Sequence, residues 1–139
     1  MANPYEGDVL EVPRVTFQHW TKAIGGMFLG AAIGYAGFYL MFRFGLYMMI
    51  VPGALIGTAA SRLSKVSSNA IGIVCAVFAA GVAVLMEWHF LPFMADDSLE
   101  FFIKNIADVN PMHLLMMAAG VALAFSFGRG REYSATRVQ

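Results

Sequence analysis

Residues 23–60 read AIGGMFLGAAIGYAGFYLMFRFGLYMMIVPGALIGTAA, and the single charge in this run is Arg43. These 38 residues decide the fold. As one helix they would reach about 57 Å, whereas a bilayer's hydrocarbon core is about 30 Å thick. One membrane span cannot use them; two spans joined by a tight turn can. Arg43 and Gly45 mark the turn, because the charge can reach water there and glycine tolerates unusual backbone angles. The expected spans are residues 23–42 and 46–60. Pro52 falls inside the second and should kink it.

Outward from this run, residues 61–69 form a short polar loop, and residues 70–86 form a third apolar span closed by Glu87, Trp88 and His89. The longest connection follows. Within it Asp97 and Glu100 have the spacing of a capping box. Leu99, Phe102, Ile103 and Ile106 make one apolar stripe at helical spacing. A short amphipathic helix over residues 98–109, lying at the membrane interface, is expected. Asn110 and Pro111 then open a fourth span over 111–127, as a cap and a first-turn residue. Residues 1–22 are a polar segment ending in an interface anchor, and residues 128–139 are a basic tail. Trp20, Lys22, Arg43, Trp88, Arg129 and Arg131 are the expected interface anchors.

Composition agrees with lipid as the solvent. Of the 139 residues, 59% are apolar and 13% are charged, against roughly 45–50% and 25% in soluble domains. The formal net charge is zero, so no global field would draw in nucleic acid. The lone cysteine, Cys75, can form neither an intramolecular disulfide nor a thiolate metal centre. Charge is segregated along the chain. Four spans put Arg14, Lys22, Arg62, Lys65, Arg129, Arg131 and Arg137 on one side. Arg43, Lys104, Glu87, Asp96, Asp97, Glu100 and Asp108 fall on the other. Basic loops mark the cytoplasmic side, so both termini are expected on the cytoplasmic side of a cell inner membrane. The fold expected is an all-α, four-helix transmembrane bundle.

Small residues recur at four-residue spacing. They are Gly26, Gly30 and Gly34 on the first span, Gly53 and Gly57 on the second, Gly72, Ala76 and Ala80 on the third, and Gly120 and Ala124 on the fourth. Such ridges let helix backbones approach in lipid, within one bundle or between subunits. No ionisable residue falls in mid-span, since Arg43 and Glu87 sit at expected span ends. That pattern disfavours an enzyme or an ion-coupled carrier. His89, His113, Glu87, Asp96 and Asp97 share the non-cytoplasmic side, but their spacings match no metal motif. No metal, cofactor or phosphate loop is expected. The pairs Met48-Met49 and Met116-Met117 read as packing residues.

The stretch Gly53-Ala54-Leu55-Ile56-Gly57, then a third span, then Asn110-Pro111-Met112-His113-Leu114-Leu115 opening a fourth resembles a group of uncharacterised small bacterial four-span membrane proteins, over roughly residues 23–132. Many members carry a cysteine-rich zinc-binding segment before the first span, and residues 1–22 here contain no cysteine. The resemblance implies topology and no activity.

The expected function is non-catalytic: an accessory or scaffold subunit that docks through glycine-rich helix faces in a larger membrane complex or homo-oligomer. Its partners are the bilayer and other membrane subunits or itself. The alternative is a homo-oligomeric channel or small-solute transporter lined across subunits by Tyr35, Tyr39, Tyr47, Thr58 and Ser61. A third reading is a membrane enzyme or metal protein using Glu87, His89 and His113.

Overall fold

A computed structural model describes residues 14–91 and 97–130. Among the described residues all regular structure is helical: α1 (Phe17–Arg43), α2 (Ile50–Ser64), α3 (Asn69–Phe90), α4 (Leu99–Lys104), a 3-10 turn (Ile106–Asp108) and α5 (Pro111–Gly128). The helices α1, α3 and α5 are each long and apolar enough to cross a membrane.

The helix α1 starts at Phe17 rather than at residue 23. Thr16 is extended, and His19 Nδ1 accepts its backbone N–H at 3.1 Å. The expected interface anchor is therefore the first turns of α1. At the other end Gly45 takes φ +77°. Its N–H donates to Phe42 O at 2.9 Å, and Leu46 N–H reaches Met41 O at 3.0 Å. This is a Schellman ending, which the left-handed glycine makes possible.

The chain then runs non-helically to Ile50, so α2 begins four residues later than expected. Pro52 thereby lands in the first turn, where its missing N–H costs no intrahelical bond and no kink is required. At its far end α2 continues to Ser64, and Lys65 stops it in the left-handed region, φ +54°. Ser61 and Ser64 belong to the helix, their hydroxyls donating to Thr58 O and Ser61 O. The expected loop at 61–69 shrinks to residues 65–68.

The helix α3 runs one turn beyond residue 86 and takes in Glu87, Trp88 and His89. The expected interfacial helix is interrupted. Ser98, not Asp97, caps α4, its Oγ accepting Phe101 N–H at 3.3 Å. Glu100 instead pairs with Lys104 at 2.6 Å on an exposed face. Asn105 ends α4 by folding its Nδ2 back onto Phe101 O at 2.8 Å. Asn110 caps α5 as expected, Oδ1 accepting Met112 N–H at 3.0 Å.

The glycine ridges set the packing. Gly26 lies against Ala59 and Ala60, Gly30 against Leu55 and Ile56, and Gly34 against Pro52, so α2 runs antiparallel to α1. Gly53 meets Gly120 and Gly57 meets Ala124, so α5 runs parallel to α2. Gly72 meets Phe125 and Arg129, and Gly128 meets Cys75, so α3 is antiparallel to α5. A Cβ at Gly26 or Gly30 would stand 2.6 Å from a backbone oxygen of α2. On α3 the buried stripe is Gly72, Cys75, Ala79 and Ala83, and Ala76 and Ala80 are only half-buried. A 3.6-residue helix keeps one face by alternating steps of three and four, and an unbroken four-residue step drifts off it.

Two apolar clusters fill the bundle. One holds Ala23, Met27, Ile56, Ala60, Ile71, Cys75, Ala79 and Ala124; the other, towards the α1–α2 turn, holds Phe38, Met49, Ala83, Met86 and Met117. Cys75 is fully buried and is the chain's single thiol, so a thiol-reactive dye reads global unfolding. Gly53→Val is expected to lower the unfolding free energy read by that assay by about 1–3 kcal/mol or more, because the added methyls must displace backbone. Gly81→Ala, where nothing lies within 4 Å, should leave it unchanged or slightly raised.

Candidate functional site: a buried Tyr-Glu-His cluster

Three elements converge at the bundle end that carries the α1–α2 turn. The first is α3, whose buried stripe continues past Ala83 to Met86 and Glu87. The second is α5, whose Asn110–Pro111 start sets His113 in the first turn, beside α3. The third is the turn itself. After Gly45 reverses the chain, Tyr47 comes back over the helix ends.

Glu87 is 1% exposed. Tyr47 Oη donates to its Oε2. His113 Nδ1 lies 2.8 Å from its Oε1. The Tyr47 and His113 rings stack, with centroids 4.0 Å apart and planes 12° apart. Phe38 stands edge-on to Tyr47 at 5.7 Å, and Phe90 packs on Phe38 at 5.1 Å. A lone carboxylate in such surroundings is costly, and hydrogen bonds to both oxygens are what make its burial tolerable. Tyr47 lies outside the helices. Burial, followed by its hydrogen bond to Glu87 and that residue's charge, raises its phenol well above the ordinary value, so Tyr47 stays a donor.

The cluster corrects the sequence reading. Glu87 is not a solvated span end; it lies a turn inside α3. Hydropathy alone places a carboxylate at the end of an apolar run, and its partners stand 40 and 26 residues away along the chain. One signal was available, because Glu87 lies four residues beyond Ala83 on the small-residue stripe.

The structure unites Glu87 with His113 and separates His89, which is exposed and meets Phe90 edge-on at 5.2 Å. Asp97 is exposed, and its backbone oxygen accepts Trp88 Nε1–H at 2.6 Å. Asp96 and Arg131 lie outside the described residues. Among the described residues no three His, Cys, Asp or Glu side chains converge on a metal-sized site. The five residues named for a pore lining across subunits lie in different settings within the chain. Thr58 Oγ1 donates to Ala54 O at 2.7 Å, and Ser61 bonds its own helix. Tyr35 and Tyr39 are exposed and flank Phe90 on its outer side, while Tyr47 points inward to Glu87. Met49 and Met117 are buried, Met116 is half-buried and Met48 is exposed.

Of the expected anchors, Trp20 is half-buried against the Ala23 cluster. Trp88 is half-buried, and Lys22, Arg43 and Arg129 are exposed. The Arg129 guanidinium lies 5.8 Å over the Phe125 ring. Its carbonyl accepts Ser68 N–H at 2.9 Å and the Ser67 hydroxyl at 3.0 Å, tying the end of α5 to the start of α3.

Tyr47→Phe leaves a buried carboxylate oxygen without its donor. The expected cost is about 1.5–3 kcal/mol by Cys75-dye unfolding, the range for hydrogen bonds to charged groups. In a Glu87→Gln background the same substitution should cost clearly less, giving a positive coupling in the double-mutant cycle. Equal costs in both backgrounds would show that the phenol does not act on the carboxylate.

No family model, curated protein or solved structure matches this chain.

Proposed function

We propose that this chain is a four-span inner-membrane protein with both termini in the cytoplasm, and that it acts as a non-catalytic accessory or scaffold subunit. The fourth span is α2. At 15 residues it rises about 22 Å, short of a hydrocarbon core. Two features support counting it. It runs back along α1 between chain reversals at Gly45 and Lys65. None of residues 50–61 is exposed, so its neighbours shield it from lipid and relax the length requirement. The orientation rests on charge. Arg14, Lys22, Arg62, Lys65 and Arg129 gather at the end where α1 starts and α2 and α5 finish. The opposite end has Arg43 and Lys104 among Glu87, Asp97, Glu100 and Asp108.

The observation that carries the non-catalytic reading is saturation. Glu87, the one buried carboxylate among the described residues, accepts from Tyr47 at one oxygen and meets His113 at the other. Each oxygen is engaged within the chain rather than turned to solvent. The outer faces of α1, α3 and α5 present Leu29, Ile33, Ile73, Val77, Leu85 and Leu115, surfaces suited to lipid or other membrane helices. The buried glycines are occupied within the chain, so docking falls to the outer faces, where Gly25 and Gly81 stand open. Native mass spectrometry from mild detergent should recover a complex or homo-oligomer, weakened by Gly25→Leu or Gly81→Leu. A monomer alone from the unaltered protein would overturn the subunit reading.

The topology has its own test. In a Cys75→Ser background, cysteines at positions 66 and 129 should label from the cytoplasmic side, and cysteines at positions 44 and 104 from the opposite side. Labelling of 44 and 66 from the same side would remove α2 as a span.

A second reading, a homo-oligomeric channel or small-solute transporter, is favoured by one observation: a buried carboxylate beside a partly exposed histidine is a costly arrangement that membrane proteins reserve mostly for function. Solute flux in proteoliposomes that Glu87→Gln abolishes would support it. Flux insensitive to that change, or no flux, would count against it.

A further inference from the structure

We propose that Glu87 and His113 form a proton-binding site, and that Tyr47 couples its occupancy to the turn between α1 and α2. This inference shares the cluster with the subunit reading but not its docking faces, so the acid response and the oligomeric state are tested separately.

With one proton between Glu87 and His113, whether on the imidazole or on the carboxyl, the two side chains sum to zero charge. With none they sum to minus one, and with two to plus one. Glu87 is 1% exposed, and net charge in so dry a place is costly, so each proton the pair gains or loses changes a charge that its surroundings solvate poorly. The His113 side chain is 25% exposed against 2% for Glu87. Water therefore exchanges protons with the pair through the imidazole.

The titratable groups that meet Glu87 are Tyr47 from the turn and His113 from α5. The apolar cluster on which Tyr47 packs is Phe38 and Phe42 from α1, Met49 from the turn, Ala83, Met86 and Phe90 from α3, and Met116 and Met117 from α5. Arg43 at the end of α1 and His89 on α3 are exposed, and neither is hydrogen-bonded or ion-paired to Glu87.

Losing the proton and gaining a second one differ in consequence. A neutral imidazole with hydrogen on Nδ1 still donates to the Glu87 carboxylate, so deprotonation keeps both hydrogen bonds. Where the first proton sits on the imidazole, uptake of a second from water makes one O–H bond on Glu87 and removes its negative charge. The His113 imidazolium then faces a neutral acid, and the Tyr47 phenol loses its anionic acceptor. Tyr47 sits two residues after Gly45 and three before α2, and it is stacked on the same imidazole. Acid should therefore release residues 44–49 while the glycine-packed remainder of the bundle persists.

The chain carries its own reporter. Trp88 is the neighbour of Glu87, and the other tryptophan, Trp20, lies at the opposite end. In a Trp20→Phe protein, Trp88 emission is followed in lipid nanodiscs from about pH 8 to about pH 4, which brackets the ordinary His and Glu titrations. One reversible transition is expected on the acid side, with Cys75 unreactive to dye throughout. Glu87→Gln should abolish it, and His89→Gln should leave it in place. A transition that survives Glu87→Gln, or that vanishes with His89→Gln, overturns the proposal, as does a flat profile in the parent. Should Glu87→Gln fail to fold, carbon-13 spectra of the glutamate carboxyls and histidine rings in the unaltered protein decide it. Glu87 and His113 titrating as one coupled profile supports the site; independent titrations overturn it.

Discussion

The structure depends on the backbone of α2 lying directly against its neighbours on two sides. Gly26, Gly30 and Gly34 admit it from α1, and Gly53 and Gly57 let it meet α5 at Gly120 and Ala124. Water drives soluble helices together by releasing apolar surface, but lipid offers no such drive, because its tails are as apolar as leucine. What holds helices together in lipid is dispersion over many close atom pairs, and that falls away within an ångström of separation. Side chains at these glycines would push α2 outward. A helix of 15 residues pushed into lipid would meet hydrocarbon with both ends unsatisfied. On the four-span proposal, enclosure by α1 and α5 is what would allow α2 to be this short.

The polar end of the bundle follows from the same placement. Because α2 is drawn against α1, the chain must reverse within six residues, and a left-handed glycine at position 45 accomplishes it. The non-helical stretch that this leaves carries Tyr47 across to α3. Because α5 lies along α2 and against α3, its first turn brings His113 to the same carboxylate. Glu87 is thus bonded by residues that only the packing brings near it. A buried carboxylate with both oxygens matched is tolerable, and one missing a partner is not. The cluster therefore makes the register of these three elements a condition of stability at that end.

Much of the helical plan was legible in the sequence because hydropathy and backbone chemistry are local. The turn at Gly45, the cap at Asn110 and the apolar runs of α1, α3 and α5 need no tertiary information. The boundaries that shifted did so for local reasons of finer grain. Pro52 marks a helix start instead of a kink, Ser98 caps one residue after Asp97, and Asn105 breaks a stripe that apolar spacing alone would continue. The cluster was not legible in the same way. Hydropathy reads Glu87 as the place where a span stops, and nothing in the neighbouring sequence says that a tyrosine 40 residues back will donate to it. Ala76 and Ala80 show the other limit, since a regular four-residue step on paper drifts off the buried face of a real helix.

The central claim is that the glycine ridges close within one chain, and selective carbon-13 labelling of glycine tests it most directly. In bilayers, the labelled protein should show through-space correlations between Gly53 and Gly120 and between Gly72 and Gly128, pairs that lie in backbone contact. Dilution with unlabelled protein should leave both in place, because each pair belongs to one molecule. If those correlations are absent, or fade in proportion to dilution, the ridges join separate copies and the account of α2 given above is wrong.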